Sequence, residues 1–440
     1  MRYVYPSLHH PRFDACSLPH AAPGRRLPYR SRNQTVVEHV AVTGMGIVSP
    51  IGTATELFWQ HLLEGKCGIA PMKSSGPKVS GNELWAAVPD DFLDRSQIPP
   101  AALRNTDRFT QFAMVATAEA LGQARLDPPA ERTAVIVGNT MGGFPLVAQA
   151  QTRLLESGGR AVTPKLMALV IPNMPSALIA MHWNLHGPQL AISTACASSL
   201  DAIGLASGMI ERGEIDAAIA GGCETLLSPL VYESLVRAGA LSRNTDAAKA
   251  SRPFDVDRDG FVMGDGAAIL VLERIERAWE RGARVLARIR GYGSLADAYH
   301  ITSPDPSARY EVRAMQDAIE RAGDAGEQCE VVYAHATSTI VGDAAESKAI
   351  DAVYADRPAI VTSIKGHVGH SMASAGAMCA IAGIAGMREE CIPPTIGTQR
   401  LDPSTHFDLV IERPRSHRYA AFQVNAFGFG GQNASLIISR

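Results

Sequence analysis

Two helices built from small residues dominate this sequence, and each is followed along the chain by a glycine-rich turn or hairpin. The first helix begins at Ala195 and precedes a glycine-rich turn at 260–266. The second covers 373–386 and precedes a glycine-rich hairpin at 423–438. Short apolar runs that are typical of buried strands alternate with the helices. This order predicts an α/β protein with a largely buried sheet, built by duplication of one α/β unit.

The remaining predicted elements fit the same plan. Buried strands are expected at 36–42, 133–137, 189–192, 217–222, 331–334 and 360–364, and helices at 55–63 and 106–121. We therefore expect two halves, 36–290 and 291–440, that repeat the same arrangement.

Residues 1–35 differ in composition from everything that follows. They contain six arginines and a single acid, Asp14, and their apolar residues show no periodicity. This composition predicts a disordered basic leader. A secretory signal peptide is disfavoured because it needs an apolar segment, which this stretch lacks.

The overall composition restricts the function. A formal net charge of -3 gives no basis for binding nucleic acid or a membrane surface. A run of about 18 apolar residues, the length that spans a bilayer, is absent. The seven cysteines are odd in number and include no CxxC pair, which predicts a reducing, cytoplasmic environment and argues against a zinc-ribbon metal site. In the glycine-rich turn at 43–52, Ser49 occupies the third glycine position of a dinucleotide motif, so nucleotide binding is disfavoured.

Cys196 stands where a predicted strand passes into the first small-residue helix. A thiol at a helix start meets unpaired backbone N–H groups and the positive end of the helix dipole. Both lower the thiol pKa and would make Cys196 a usable nucleophile. The alternative is a buried structural cysteine, which is a common fate of free cysteine.

Two histidines occur where loops should leave buried strands. His335 follows the strand at 331–334, and His370 follows the strand at 360–364. Strand ends are where ligand crevices form in α/β sheets. A single histidine there is more often structural, but two of them with Cys196 form a set suited to thioester chemistry.

Five segments carry a resemblance to a known family. They are TACASS at 194–199, SRPFD at 251–255 with the glycine-rich turn after it, AHATST at 334–339, KGHVGH at 365–370 and NAFGFGGQN at 425–433. Together they resemble the β-ketoacyl-[acyl carrier protein] synthases of the thiolase superfamily, over nearly the whole chain from Val36 to Arg440. The resemblance implies a five-layered α-β-α-β-α thiolase-like fold.

The resemblance also implies roles for individual residues in condensation. Cys196 would accept the acyl chain, while His335 and His370 would promote decarboxylation of a malonyl thioester and hold the enolate. Lys365 would orient the site. The backbone N–H groups of Cys196 and Phe429 would form an oxyanion hole, with the Phe429 ring as a gate.

Further residues are implied around this set. Substrate contacts are expected from Thr337 and Thr339 along the pantetheine arm and from Met141 and Phe427, with Asp343 and Glu346 as supports and His367 as a lining residue or a support behind the catalytic groups. The implied substrates are carried on the phosphopantetheine of an acyl carrier protein, and no other cofactor and no metal is expected. The implied partners are the carrier protein and a second subunit, in a homodimer or in a heterodimer with a related ketosynthase-like chain.

Four positions depart from the family pattern. Ala336 replaces the glycine usual after the first histidine, Gln432 stands where threonine is common, Cys379 stands where many fatty-acid enzymes carry glutamate, and Met141 is bulky. These changes leave the Cys-His-His set intact. They fit a specialised or polyketide-type ketosynthase at least as well as an enzyme of fatty-acid elongation.

Three other functions remain open at this stage. A non-elongating chain-length subunit of a heterodimer typically lacks the cysteine. An acyltransferase or a degradative thiolase on coenzyme A thioesters is the second alternative, but degradative thiolases use a second cysteine near the C-terminus, and 425–434 contains none. A cysteine hydrolase would need one histidine with an orienting Asn or Asp, but neither Lys365 nor a second histidine.

Overall fold

The described strands form a central sheet whose two halves have the same construction. The computed structural model of the chain describes residues 40–72, 79–93, 98–103 and 106–440. The predicted leader and the beginning of the strand at 36–42 lie outside these residues. In the described part the strands are β1 Val40–Val48, β2 Ala70–Pro71, β3 Leu84–Trp85, β4 Thr133–Gly138, β5 Gln189–Ile192, β6 Ala217–Glu224, β7 Gly266–Arg274, β8 Ala287–Ala296, β9 Cys329–Tyr333, β10 Ile360–Thr362, β11 Cys391–Ile392, β12 Asp408–Leu409, β13 Arg415–Ser416, β14 Ala421–Gly428 and β15 Gln432–Ser439.

The helices of the described part lie between these strands. They are α1 Thr55–Leu63, α2 Pro100–Leu103, α3 Arg108–Ala124, α4 Phe144–Ser157, α5 Leu166–Val170, α6 Met174–His182, α7 Ser198–Glu211, α8 Pro229–Arg237, α9 Ala247–Ala250, α10 Ile275–Glu280, α11 Arg309–Ala322, α12 Asp324–Glu327, α13 Ile340–Val353, α14 Lys365–Val368 and α15 Ala375–Glu389. Short 3₁₀ turns at Ala195–Ala197 and Met372–Ser374 lead into α7 and α15. No helix in the described ranges has the length and apolar character needed to cross a bilayer.

The strand order reveals the duplication directly. The central sheet runs β12-β10-β9-β14-β15-β8-β1-β7-β6-β4-β5. In one half β5, β4 and β6 are parallel neighbours, and β7 and β1 follow antiparallel. In the other half β10, β9 and β14 are parallel, and β15 and β8 follow antiparallel. The halves meet where β1 and β8 pair over only three residues.

The sheet halves and the helices stack in five layers, because side chains alternate between the two faces of each strand and both faces are covered by helices. In β7, Ala268, Leu270 and Leu272 face one core that also contains residues of α7 and α15, while the intervening side chains face a second core with α3 and α6. Strands β14 and β15 contribute to the same inner core, and their opposite face packs with α11 and α13. The small residues of α7 and α15 allow both sheet halves to approach this inner helical layer closely. The predicted five-layered fold is confirmed.

Two details differ from the sequence-based expectation. The predicted strand at 189–192 forms as β5, but its residues are mostly exposed rather than buried, because β5 is an edge strand that pairs with β4 alone. The predicted boundary at residue 290 falls inside β8, which pairs with β15 over eight residues. A division just before Ala287 would leave that strand whole.

Candidate active site

Cys196 occupies the 3₁₀ turn at the start of α7. Ala195, the residue before it, is held in the left-handed region with φ of 50°, which turns the chain sharply from β5 into the helix. Cys196 is only 4% exposed, and its Sγ lies 3.0 Å from His370 Nε2. The thiol is therefore in hydrogen-bond contact with an imidazole that is 174 residues away in sequence.

Both predicted histidines converge on this sulfur. His335 follows β9 and His370 follows α14, and their rings lie in an edge-to-face arrangement with centroids 5.2 Å apart. The Cys196 sulfur and one nitrogen of each imidazole all lie within 4.8 Å of one another. The structure thus brings together the three side chains that the sequence analysis selected, although their chemical roles stay predictions.

Burial controls the protonation of all three groups. It raises the pKa of the Cys196 thiol to about 12, and the partial opposition of Lys365 and of the Phe429 backbone N–H does not reverse this. In this structure burial outweighs the lowering of the Cys196 pKa that the helix start alone would give. Burial, followed by repulsion from Lys365, lowers the pKa of both His335 and His370 well below the ordinary histidine value. At neutral pH the resting site holds a thiol and two neutral imidazoles.

The loop that carries His335 is fixed by buried charged groups. Lys365 Nζ donates to the His335 carbonyl oxygen at 2.9 Å. The Glu346 carboxylate accepts from the backbone N–H groups of His335 and Ala336 at 2.8 and 2.6 Å. Asp343 accepts from the backbone N–H groups of Ser338 and Phe254 in the same region. The contacts of Asp343 and Glu346 are those expected of supporting residues.

Two backbone N–H groups point at the reactive sulfur. Those of Phe429 and Cys196 both stabilise the thiolate form. Gly428 favours this close approach, since a Cβ there would lie 3.0 Å from the Cys196 nitrogen and 3.2 Å from the Ala195 Cβ, which is tighter than most Cβ contacts. The Phe429 ring is 39% exposed and lines the cavity in front of the sulfur. The roles of these groups as oxyanion hole and gate stay predictions.

One cavity of about 360 Å³ contains the sulfur and both imidazoles. Thr337, Thr339 and Phe427 line it as predicted. Met141 does not, because its side chain is 43% exposed at the protein surface, and its assignment to the acyl pocket stays a prediction. His367 is also absent from the lining. Its ring nitrogens lie 3.0 and 2.8 Å from the carbonyl oxygens of Lys66 and Pro394.

Comparison with known proteins assigns the family. Residues 37–278 match the family described as "Beta-ketoacyl synthase, N-terminal domain" and residues 286–399 match "Beta-ketoacyl synthase, C-terminal domain". The chain belongs to the beta-ketoacyl synthase family. It is a condensing enzyme of the acyltransferase class and of the thiolase superfamily.

The ketosynthase is similar to known proteins over almost its whole length. The chain is 37% identical over 407 residues to the 3-oxoacyl-[acyl-carrier-protein] synthase 2 of Coxiella burnetii, with 91% of this chain and 98% of that protein covered. The solved ishigamide ketosynthase/chain length factor is 32% identical with a TM-score of 0.85, over 91% of this chain and 99% of that one. A third similar protein comes from a solved complex described as a type II polyketide synthase acyl-carrier protein with its ketosynthase bound to the hexaketide. The matched chain is 27% identical with a TM-score of 0.84, and the match covers 91% of this chain and 99% of that one.

The departures from the family pattern have visible structural settings in this ketosynthase. Ala336 has φ of 23°, a backbone conformation that favours glycine, so the alanine strains the loop that carries His335. Cys379 is buried in α15, and this burial raises the pKa of its thiol, with Lys365 acting against the rise and Glu346 adding to it. Gln432 begins β15 opposite Gly428.

Glu311, in the first turn of α11, is one of the cavity-lining residues of the ketosynthase that were not selected from the sequence. A signal was present, because Glu311 shares the helical spacing of the buried residues Ala314, Met315 and Ala318. An acid on the apolar stripe of an amphipathic helix marks a carboxyl group that folding will bury.

The reactive cluster of the ketosynthase also has the composition of a metal site. Zinc accepts cysteine and histidine as ligands. In the part of the chain that the structure describes, the potential ligand atoms of Cys196, His335 and His370 lie within 4.8 Å of one another. The adjacent Lys365 adds a positive charge that opposes a cation. The expectation that no metal is required stays a prediction.

Proposed function

We propose that this chain is a β-ketoacyl-[acyl carrier protein] synthase that transfers an acyl group to Cys196 and then condenses it with a malonyl group held by a carrier protein. The product is a 3-oxoacyl chain two carbons longer, in fatty-acid or type II polyketide biosynthesis. The observation that carries the proposal is the meeting of the Cys196 sulfur with nitrogens of His335 and His370 within 4.8 Å in one cavity.

The first step is acyl transfer. As the Cys196 sulfur attacks the thioester carbonyl carbon, its proton passes to His370 Nε2, which lies 3.0 Å away. The developing oxyanion accepts hydrogen bonds from the backbone N–H groups of Cys196 and Phe429. Collapse of this intermediate expels the pantetheine sulfur, which takes the proton back from His370. The raised thiol pKa favours proton transfer in concert with attack over a preformed thiolate.

The second step makes the carbon–carbon bond. Loss of CO₂ from the malonyl thioester leaves an enolate, whose oxygen accepts hydrogen bonds from the neutral imidazoles of His335 and His370. His370 Nδ1 has no hydrogen-bond partner among the described residues, so no protein contact fixes one tautomer. Nε2 accepts in the first step, and loss of the Nδ1 proton to solvent with protonation of Nε2 from solvent makes Nε2 a donor in the second. The enolate carbon attacks the acyl carbonyl, the bond from that carbon to the Cys196 sulfur breaks, and the departing thiolate takes a proton from solvent.

The proposed chemistry is tested with purified protein, acyl-carrier protein and malonyl-carrier protein. Wild type should give the 3-oxoacyl product by intact-mass analysis, whereas Cys196→Gln should decarboxylate malonyl-carrier protein without condensation. Absence of 3-oxoacyl product with every acyl donor and carrier protein offered would overturn the proposal.

We further propose a carrier-protein partner and a dimeric assembly, either homodimeric or with a related subunit. The edge strand β5 supports a dimer, because one side of it is unpaired and Leu190 is 37% exposed. Helix α6 contacts β5, α5 contacts α6 and α4 contacts α5. These three helices expose Leu155, Met167 and Met181 at 77%, 68% and 75%. Light scattering that showed a stable, active monomer would contradict a dimer.

Three remaining expectations are kept as proposals. The chain divides into two thiolase-like halves close to residue 290, with Cys196 in the first and both histidines in the second. The substrates arrive on carrier-protein phosphopantetheine and no further cofactor takes part. A cytoplasmic location is supported by the free state of the six cysteines in the described ranges.

A further inference from the structure

Glu311 differs from the other acids that line the reaction cavity. Asp259 accepts from Ser242 and Arg252, at 2.8 and 3.1 Å. Asp297 accepts from the Asn433 side chain at 2.5 Å and from the Asp305 backbone N–H at 3.0 Å. Glu311 is 2% exposed, and its buried Oε2 has no hydrogen-bond partner.

The charges around Glu311 determine which form of its carboxyl group is present. Burial raises its pKa well above the ordinary glutamate value, and repulsion from Glu346, Asp297 and Asp305 acts in the same direction. These three groups reach it from α13, from the loop after β8 and from the segment that leads into α11. Glu311 therefore enters the cavity as a neutral acid with one O–H donor.

An unpaired donor on a buried side chain such as Glu311 is costly unless the cavity's occupant supplies an acceptor. Glu311 shares its cavity with Cys196, His335 and His370, so the occupant that reaches it is the substrate of the condensing site. Sites built to hydrogen-bond a substrate discriminate strongly against analogues that lack the bonding group, since the site's polar atom is then left unpaired.

We propose, building on the condensing function above, that Glu311 is a substrate-binding residue whose carboxylic acid donates a hydrogen bond to an oxygen of the acyl group beyond the thioester carbonyl. The substrate class that follows is acyl chains carrying an oxo or hydroxyl oxygen, in preference to saturated hydrocarbon chains of equal length. Glu311 acts in selection and takes no part in bond making.

The test compares acyl-carrier proteins loaded with hexanoyl, 3-oxohexanoyl or 5-oxohexanoyl groups, which scan the oxygen position at constant length. With wild type, kcat/KM for at least one oxo donor should exceed that for hexanoyl by about tenfold or more. Glu311→Leu should bring this ratio close to one, while Glu311→Gln, which keeps a donor, should retain most of it. An unchanged ratio in Glu311→Leu, or no preference in wild type, overturns the proposal.

A pH series gives a readout that a structural role would not produce. Ionisation of Glu311 at alkaline pH removes its donor, so the preference of wild type should fall as pH rises while that of Glu311→Gln stays constant. Parallel pH dependence in both proteins overturns the proposal even if Glu311→Leu is unstable. Glu119→Gln is the matched control, since this carboxyl bonds to Ile47 and Thr55 away from the cavity and should leave the ratio unchanged.

The same measurements separate this proposal from the condensing function. Product formed from any of the three donors supports condensation whatever the ratio between them. If none of the three donors gives product, the condensing function is contradicted. If product forms but the ratio of kcat/KM values does not behave as expected, only the proposal for Glu311 is contradicted.

Discussion

The turns that lead into α7 and α15 are equivalent in construction but differ in chemistry. Each begins with a non-glycine residue in the left-handed region, Ala195 with φ of 50° and Met372 with φ of 45°. Each continues as a three-residue 3₁₀ turn into an inner helix, and the turns lie against each other. The middle residue is Cys196 in one turn and Ala373 in the other.

The difference shows what duplication supplies and what it does not. The sulfur of Cys196 faces the cavity, and the groups around it, including His335, His370 and Phe429, come from the second half of the chain. Ala373 does not line that cavity, and its backbone N–H instead serves the buried Glu224 carboxyl. The repeat thus creates two similar turns, and asymmetric side chains place a thiol beside two imidazoles at the turn that carries Cys196.

Removing the sulfur should have the largest effect. Cys196→Ala eliminates the nucleophile, so we expect the condensation rate to fall by more than about 10⁴-fold. The matched control is the double variant Cys196→Ala/Ala373→Cys, which moves the thiol to the equivalent turn. It should remain inactive in the same mass assay, because Ala373 lies outside the cavity. Recovery of activity would mean that the turns are interchangeable.

The electrostatic support of the histidine loop is the next target. Lys365→Met removes the cation that holds the His335 carbonyl and sits beside Glu346 in the protein interior. We expect the free energy of unfolding in urea to fall by about 3 kcal/mol, since truncating one partner of a buried charged pair leaves the other unpaired. Lys348→Met, an exposed lysine that bonds only the Pro306 carbonyl among the contacts described, should change it by less than about 0.5 kcal/mol. Equal losses in the two variants would contradict a special role for Lys365.

The pH dependence of alkylation tests whether the helix start or burial controls Cys196. A pKa raised to about 12 keeps the thiol protonated across the neutral range. The rate of iodoacetamide modification at Cys196, followed by peptide mass spectrometry, should therefore rise about tenfold per pH unit through pH 9. Levelling of this rate near pH 7 would show instead that the dipole of α7 prevails. The rate at the partly exposed Cys391 serves as the internal reference for reagent loss.

Patterns within single segments could be predicted from the sequence, but properties set by packing could not. The two small-residue helices and the placement of His335 and His370 after strand regions were visible in the residue order. The exposure of β5 was not, because an apolar run looks the same in an edge strand and a central one. The Cys196 pKa depends on how deeply two sheet halves bury the turn, which no local motif encodes.

Relief of strain in the second half should have the smallest effect and the opposite sign. Ala336 has φ of 23° next to His335, where an alanine Cβ is crowded, so Ala336→Gly should raise the free energy of unfolding by about 0.5–1 kcal/mol. Glu346 still holds the backbone N–H groups of His335 and of residue 336, so the condensation rate should change by less than about twofold. Ala334→Gly, two residues earlier and outside the left-handed region, should instead destabilise the protein by about 1 kcal/mol, since glycine there adds only unfolded-state entropy and a lost methyl contact. Urea unfolding of both variants decides the matter, because destabilisation of the same size by both would mean that the loop at Ala336 is not strained.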